Sequence, residues 1–136
     1  MHYFLAKTDP ETYSISDLER EKKTIWDGVH SYQAVAVIRL WKPGDLVFVY
    51  HSQKEKRIVG CMEVLGLPYK DEHDERGMSW VAEVGFKERY PVEKQVTLAE
   101  IKQSGKFADF ALVKQSRLST MACPTTFVTW MKEKLV

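Results

Sequence analysis

Within eight positions, Trp26-Asp27-Gly28-Val29-His30-Ser31-Tyr32-Gln33 gathers two large aromatics, a carboxylate, an amide and a glycine. A tryptophan beside a glycine can lie against a flat ligand. Asp27 and Gln33 supply an acceptor and a donor–acceptor pair for the edge of a base. Equally, Trp26 and Tyr32 can be core aromatics flanking a turn. Tyr50-His51-Ser52 ends a buried apolar run. It either sets three hydrogen-bonding side chains at a sheet rim or forms a plain hairpin corner. Lys114-Gln115-Ser116-Arg117-Leu118-Ser119 holds two cations, an amide and two hydroxyls. That mixture suits a phosphate, a polar ligand or a solvated strand end.

Catalytic patterns are missing. His2, His30, His51 and His73 are scattered, and no HExxH, HxH or Cys/His pair has metal-ligand spacing. Neither a GxSxG elbow nor a phosphate-binding loop occurs. Cys61, between Gly60 and Met62, reads as packing, because no neighbour in sequence would activate its thiol. Cys61 and Cys123 are expected to be reduced core thiols. We therefore expect no catalytic residue, no metal and no cofactor. The run from Lys70 to Arg76 carries six charges and reads as a solvated connection.

The elements that must position these groups follow from periodicity. Tyr3–Lys7 reads as a strand entering a Thr8-Asp9-Pro10 turn. Ser16 and Glu19 predict a capping box at the start of a short helix, with polar residues following. Ala34, Val35, Ile38 and Trp41 have helical spacing and predict a buried helix over Ser31–Trp41, ended by the Lys42-Pro43-Gly44-Asp45 turn. Asp45–His51, Arg57–Leu65 and Ser79–Phe86 predict strands, the first two joined by a hairpin loop. Thr97 and Glu100 predict another capping box, and Pro124 introduces a helix over Thr125–Leu135. Short helices scattered among strands that follow one another favour an α+β domain with an antiparallel sheet or a small open barrel.

A chain of 136 residues with 44% hydrophobic content is expected to form one domain over residues 1–136. Twenty Lys+Arg against nineteen Asp+Glu leave a net charge of +1, which excludes a polycation that coats nucleic acid by bulk charge. Residues 100–136 hold six cations against three acids, a local excess. No apolar stretch approaches the length of a membrane span, and the N-terminus lacks a signal-peptide pattern. The expectation is an intracellular, cytoplasmic protein, nuclear if eukaryotic, and a monomer with no membrane partner.

Several segments, in order, resemble the EVE domain family. They are Tyr3–Pro10, Tyr13–Leu18, Trp26-Asp27-Gly28-Val29, Tyr32-Gln33-Ala34 and Gly44–Val47. Tyr50-His51-Ser52, Ile58-Val59-Gly60, Trp80-Val81, Val96-Thr97-Leu98 and Leu112–Ser119 continue the likeness to the final helix. The resemblance implies a PUA-like fold, a partly open β-barrel of mixed and antiparallel strands with short helices around it. It also implies a binding module that recognises a modified nucleobase, modified cytosine in first place, in DNA or RNA. Carried over, Trp26 is the wall on which the base stacks, and Tyr32 or Tyr50 closes the other side. Asp27, Gln33, Ser52 and the Val29 backbone sit near the edges of the base. Lys7, His51, Lys114, Gln115, Arg117 and Ser119 hold the flanking sugar–phosphate.

This chain departs from the family pattern in places. Thr8-Asp9-Pro10 stands where Ser-Glu-Pro is usual, and His30-Ser31 and Val35-Ala36 replace two Arg-Asn pairs. Ser116 replaces a glycine of some members, and the loop between Tyr69 and Trp80 is short. In multi-domain relatives the domain is joined to an effector, so any effector here is expected to be a separate protein. The alternative reading is a sensor or enzyme that takes a free nucleobase, nucleoside or other small ligand in the same pocket.

Overall fold

A computed structural model describes residues 1–136. The strands are β1 (Tyr3–Thr8), β2 (Lys23–Trp26), β3 (Leu46–His51), β4 (Arg57–Val64), β5 (Tyr69–Lys70), β6 (Trp80–Arg89), β7 (Val96–Thr97) and β8 (Thr120–Ala122). The helices are α1 (Ile15–Glu21), α2 (Tyr32–Ile38), α3 (Leu98–Gln103), α4 (Ala111–Lys114) and α5 (Thr125–Lys134). None is long and apolar enough to cross a membrane.

The strands form one mixed sheet in the order β2-β6-β4-β3-β1-β8, with β5 beside β6 and β7 beside β4. β1 and β3 run parallel, pairing Tyr3 with Leu46 through to Thr8 with His51, and the other pairs are antiparallel. β3 is central and buried on both faces from Val47 to His51, which is why its sequence is apolar without alternation. Register shifts fall between Val49 and Tyr50 and between Cys61 and Met62. Such bulges bend a strand and re-aim the side chains beyond them, here Tyr50 and His51. At Gly60 a Cβ would collide with the Glu88 carbonyl oxygen, so the close approach of β4 to β6 requires glycine there.

β2 and β8 lie at opposite ends of the strand order, and no pairing joins them. The ends of β1 and β2 nevertheless line one pocket together with Ser119, the residue before β8. The sheet therefore curves round until its two ends approach, a barrel left open at one seam. α2 lies across that seam, packed against β8 on one side and β6 on the other. Within the one contiguous core, Phe127 of α5 meets Phe110 at 4.6 Å and Phe107 at 5.2 Å between ring centroids. Cys61 and Cys123 are both free thiols.

One local expectation needs correction. The capping box of α1 is Ser14 with Asp17, not Ser16 with Glu19. Ser14 Oγ accepts from Asp17 N at 3.1 Å and Asp17 Oδ2 accepts from Ser14 N at 2.8 Å. Starting at Ile15 turns both Ile15 and Leu18 inward, and burial of that pair sets the register. The polar stretch after α1 forms β2, whose backbone pairs with β6 from Lys23–Gly85 to Trp26–Ala82. Lys114–Ser119 runs from the end of the short helix α4 through a turn, so the strand-end alternative for that segment drops out.

Candidate nucleic-acid interface

The seam holds a pocket of about 430 Å³. Trp26, the last residue of β2, lines it with 6% of its surface exposed. The Tyr13 ring stands edge-on to Trp26, 6.3 Å between centroids at 82°. Two bonds hold Tyr13 in place: its hydroxyl donates to Glu21 Oε1 at 2.8 Å, and its carbonyl accepts from Thr8 Oγ1 at 2.7 Å. Burial, and then the Glu21 bond, push its phenol up to about 12, so it stays neutral and donating. Gly28 takes φ 78°, a left-handed turn that glycine adopts without strain. That turn carries the chain from Asp27 at the rim to the buried Val29.

Two carboxylates, Asp9 and Asp27, line the pocket opposite one cation, Lys7. Asp9 Oδ1 accepts from Glu11 N at 2.9 Å, and the Asp9 carbonyl accepts from Thr12 N and Tyr13 N, both at 2.9 Å. Lys7 Nζ donates to the Ser116 carbonyl at 3.0 Å and lies 5.6 Å from the centroid of the Tyr50 ring. Burial lowers the Lys7 pKa from its ordinary value, the direction that a nearby anion would reverse.

Of the residues read from the sequence as base contacts, Trp26, Asp27 and Val29 line this pocket. Tyr50 and Ser52 do not line it. Tyr50 is buried, and Ser52 ties β3 to β1 through its N–H and Oγ, which both donate to the Thr8 carbonyl at 2.9 and 3.3 Å. Tyr32 turns away and is 80% exposed in a separate depression. Gln33 lines a third depression of about 400 Å³ with Lys114, Gln115 and Arg117. The segment from Lys114 to Ser119 borders both, because Ser119 lines the pocket itself.

His51 is not placed to hold a phosphate. It is 5% exposed, its Nε2 accepts from Ile15 N at 3.0 Å and its Nδ1 faces Glu55 Oε1 at 2.9 Å. Both ring nitrogens are used inside the fold. Residues without an assigned role in the sequence reading also line the pocket, Thr8, Asp9 and Tyr13 among them. The signal for them was present in the Thr8-Asp9-Pro10 and Tyr13 motifs, but only the curving of the sheet round its seam brings those motifs to Trp26. A larger depression of about 530 Å³ between β1 and α5 contains none of the predicted site residues.

An open mixed sheet carrying short helices, with an aromatic-walled pocket in its seam, defines a PUA-like α+β domain. The model of the EVE domain matches residues 2–133, and the chain belongs to that family. It is 39% identical over 82 residues to thymocyte nuclear protein 1 of Rattus norvegicus, covering 52% of this chain and 36% of the relative. The matched region thus spans about a third of that curated relative. A crystal structure of a Pseudomonas syringae protein aligns with a TM-score of 0.85 and 32% identity, covering 98% of this chain and 99% of that one. Human THYN1 protein in complex with 5-methylcytosine-containing DNA aligns with a TM-score of 0.86 and 25% identity, covering 98% of each chain.

Proposed function

We propose that this chain is a reader of modified cytosine in nucleic acid, taking one extruded base into the seam pocket. The observation that carries the reading is the pocket wall. Trp26 lines a depression of about 430 Å³ bordered by the carboxylates of Asp9 and Asp27, with the Lys114–Arg117 segment beside it. The likeness to human THYN1 protein, whose complex holds 5-methylcytosine-containing DNA, supports the same ligand. Trp26 stacks the base, and a carboxylate at the rim accepts from the cytosine amino group. Val29 gives a 5-methyl group an apolar neighbour. Lys7, Lys114, Gln115 and Arg117 contact the flanking backbone, and Gln33 lies with them instead of at the base.

The pocket's chemistry favours binding over catalysis. No serine or threonine hydroxyl of its lining is hydrogen-bonded to a histidine or carboxylate. Extruding a base costs a few kcal/mol, least from a single strand, and stacking returns roughly 1–3 kcal/mol. Covering one methyl group adds about 0.8 kcal/mol, so the preference over plain cytosine is about fourfold. The test is fluorescence anisotropy with oligonucleotides differing in one 5-methylcytosine. Trp26→Ala should weaken the modified ligand by roughly 1–3 kcal/mol. Equal affinity of parent and variant for both oligonucleotides overturns the proposal.

A further inference from the structure

Tyr32 begins α2, and its ring is 80% exposed with no aromatic partner. It borders a depression of about 480 Å³ whose floor includes Val35 and Ala36. Across this space the Arg39 guanidinium lies 4.5 Å from the centroid of the Trp80 ring. Lys70 supplies a second cation, and no carboxylate lines the depression. Glu72 and Glu75, on the neighbouring loop, are outside its lining. The depression is anchored to the seam: His30 Nδ1 lies 2.8 Å from Ser79 Oγ, joining the loop after Val29 to the residue before Trp80. Val29 and Tyr32 are three residues apart, so their Cα atoms are at most about 11 Å apart.

From this juxtaposition the geometry points to a second nucleotide subsite. An unpaired nucleotide of the same strand, next to the base held by Trp26, stacks on Tyr32 with its phosphate toward Arg39 and Lys70. Aromatic faces and guanidinium planes are the surfaces on which unpaired bases stack, and the two cations complement a phosphate. An adaptor protein would be met by the same exposed tyrosine, but the paired cations and absence of lining acids favour a polyanion. The inference rests on the reading of the seam pocket as a base site. It adds strand preference: a single-stranded or locally melted site on one side of the modified base.

The experiment titrates a single-stranded nonamer and a modified mononucleotide, each containing 5-methylcytosine, and a fully paired duplex of the nonamer. It uses the parent chain, Tyr32→Ala, Tyr32→Phe and Trp26→Ala. Tyr32→Ala should weaken the nonamer about 5- to 150-fold, the range for one base–aromatic stack. It should leave the mononucleotide unchanged, and Tyr32→Phe should bind as the parent does. Truncation at so exposed a position removes no core contact, and circular dichroism checks the fold of each variant. Nonamer affinity unchanged by Tyr32→Ala but lost in Trp26→Ala overturns the second subsite and leaves the reader intact. The same loss on the duplex as on the single strand overturns the assignment to an unpaired nucleotide. Loss in Tyr32→Ala without recovery in Tyr32→Phe overturns stacking. Binding of no ligand by the parent chain overturns the reader and the subsite together.

Discussion

His51 separates the two ways of reading this chain most sharply, because sequence places it on a phosphate and structure places it in the fold. Replacing it with alanine removes the acceptor of the buried Ile15 N–H, a 3.0 Å bond. An orphaned buried donor costs about 1–3 kcal/mol. The second contact, with Glu55 Oε1 at 2.9 Å, involves a side chain 44% exposed, so it contributes at most about 1 kcal/mol. With the emptied imidazole space added, the loss for His51→Ala is about 2–4 kcal/mol. For a domain of this length that lowers the Tm by about 6–16 °C. His51→Gln can still present an oxygen to Ile15 N and loses the Glu55 contact, so its cost should stay within about 1 kcal/mol. The assay is urea and thermal unfolding of all three chains, followed by anisotropy titration well below each Tm. Oligonucleotide affinity of the folded His51→Gln chain should match the parent. Unchanged stability in His51→Ala, with weakened binding in both variants, would instead put His51 on the phosphate backbone.

Two further predictions concern charge. On single strands, Lys7, Lys114 and Arg117 together should give a slope of log affinity against log salt of about −2, rising in magnitude to about −3.5 when Arg39 and Lys70 are engaged. Arg117→Gln should reduce its magnitude by about 0.7, measured by titration at several salt concentrations, and a parent slope beyond about −6 would mean coating rather than local grip. The Asp74 carboxylate accepts from the N–H groups of Ser79 at 2.8 Å, Met78 at 3.1 Å and Arg76 at 3.2 Å. These bonds, the one to Ser79 foremost, hold its pKa well below the usual carboxylate range. A depressed carboxylate stabilises above its unfolded pKa, near 3.8, and loses that contribution as pH falls through the lowered value. Hydrogen exchange of the 76, 78 and 79 amides should therefore stay slow at pH 4 in the parent and accelerate in Asp74→Asn.

Much of the frame was legible because its signals are local. β3 and β4 are unmistakable as apolar runs around a polar hairpin, and the Thr125 helix follows its proline. β2 was not legible. Lys23 and Thr24 are polar, and only pairing with Lys23–Gly85 and Thr24–Val84 of β6 makes an edge strand of them. That pairing also decides where Trp26 points. The same limit applies to the site. Trp26, Asp27 and Val29 could be named from their motif, but Tyr32 and Gln33 could not be kept with them. A helix beginning at Tyr32 sends consecutive side chains about 100° apart, so Tyr32 and Gln33 enter different depressions. For Tyr50-His51-Ser52 the bulge after Val49 and the parallel partner β1 set the direction, and neither leaves a trace in that tripeptide.

The proposed reading gives the arrangement of charge a role in selectivity despite a net charge of +1. Asp9 and Asp27 face the pocket with only Lys7 among them, whereas Lys114 and Arg117 on one flank, and Arg39 and Lys70 on the other, face depressions without lining carboxylates. A phosphate entering the pocket would meet two like charges and is turned to the flanks. A base carrying an amino group presents a donor to those carboxylates, whereas uracil or thymine presents O4, an acceptor, at the same edge. Setting acceptor against acceptor forfeits a hydrogen bond in a half-buried site, about 1–3 kcal/mol of discrimination. A basic pocket would bind more tightly and lose that distinction, because phosphates of any sequence would fill it. On the proposed reading the acidic seam admits a base and the basic flanks guide its strand, two opposed local fields within a chain whose 20 cations and 19 acids nearly balance.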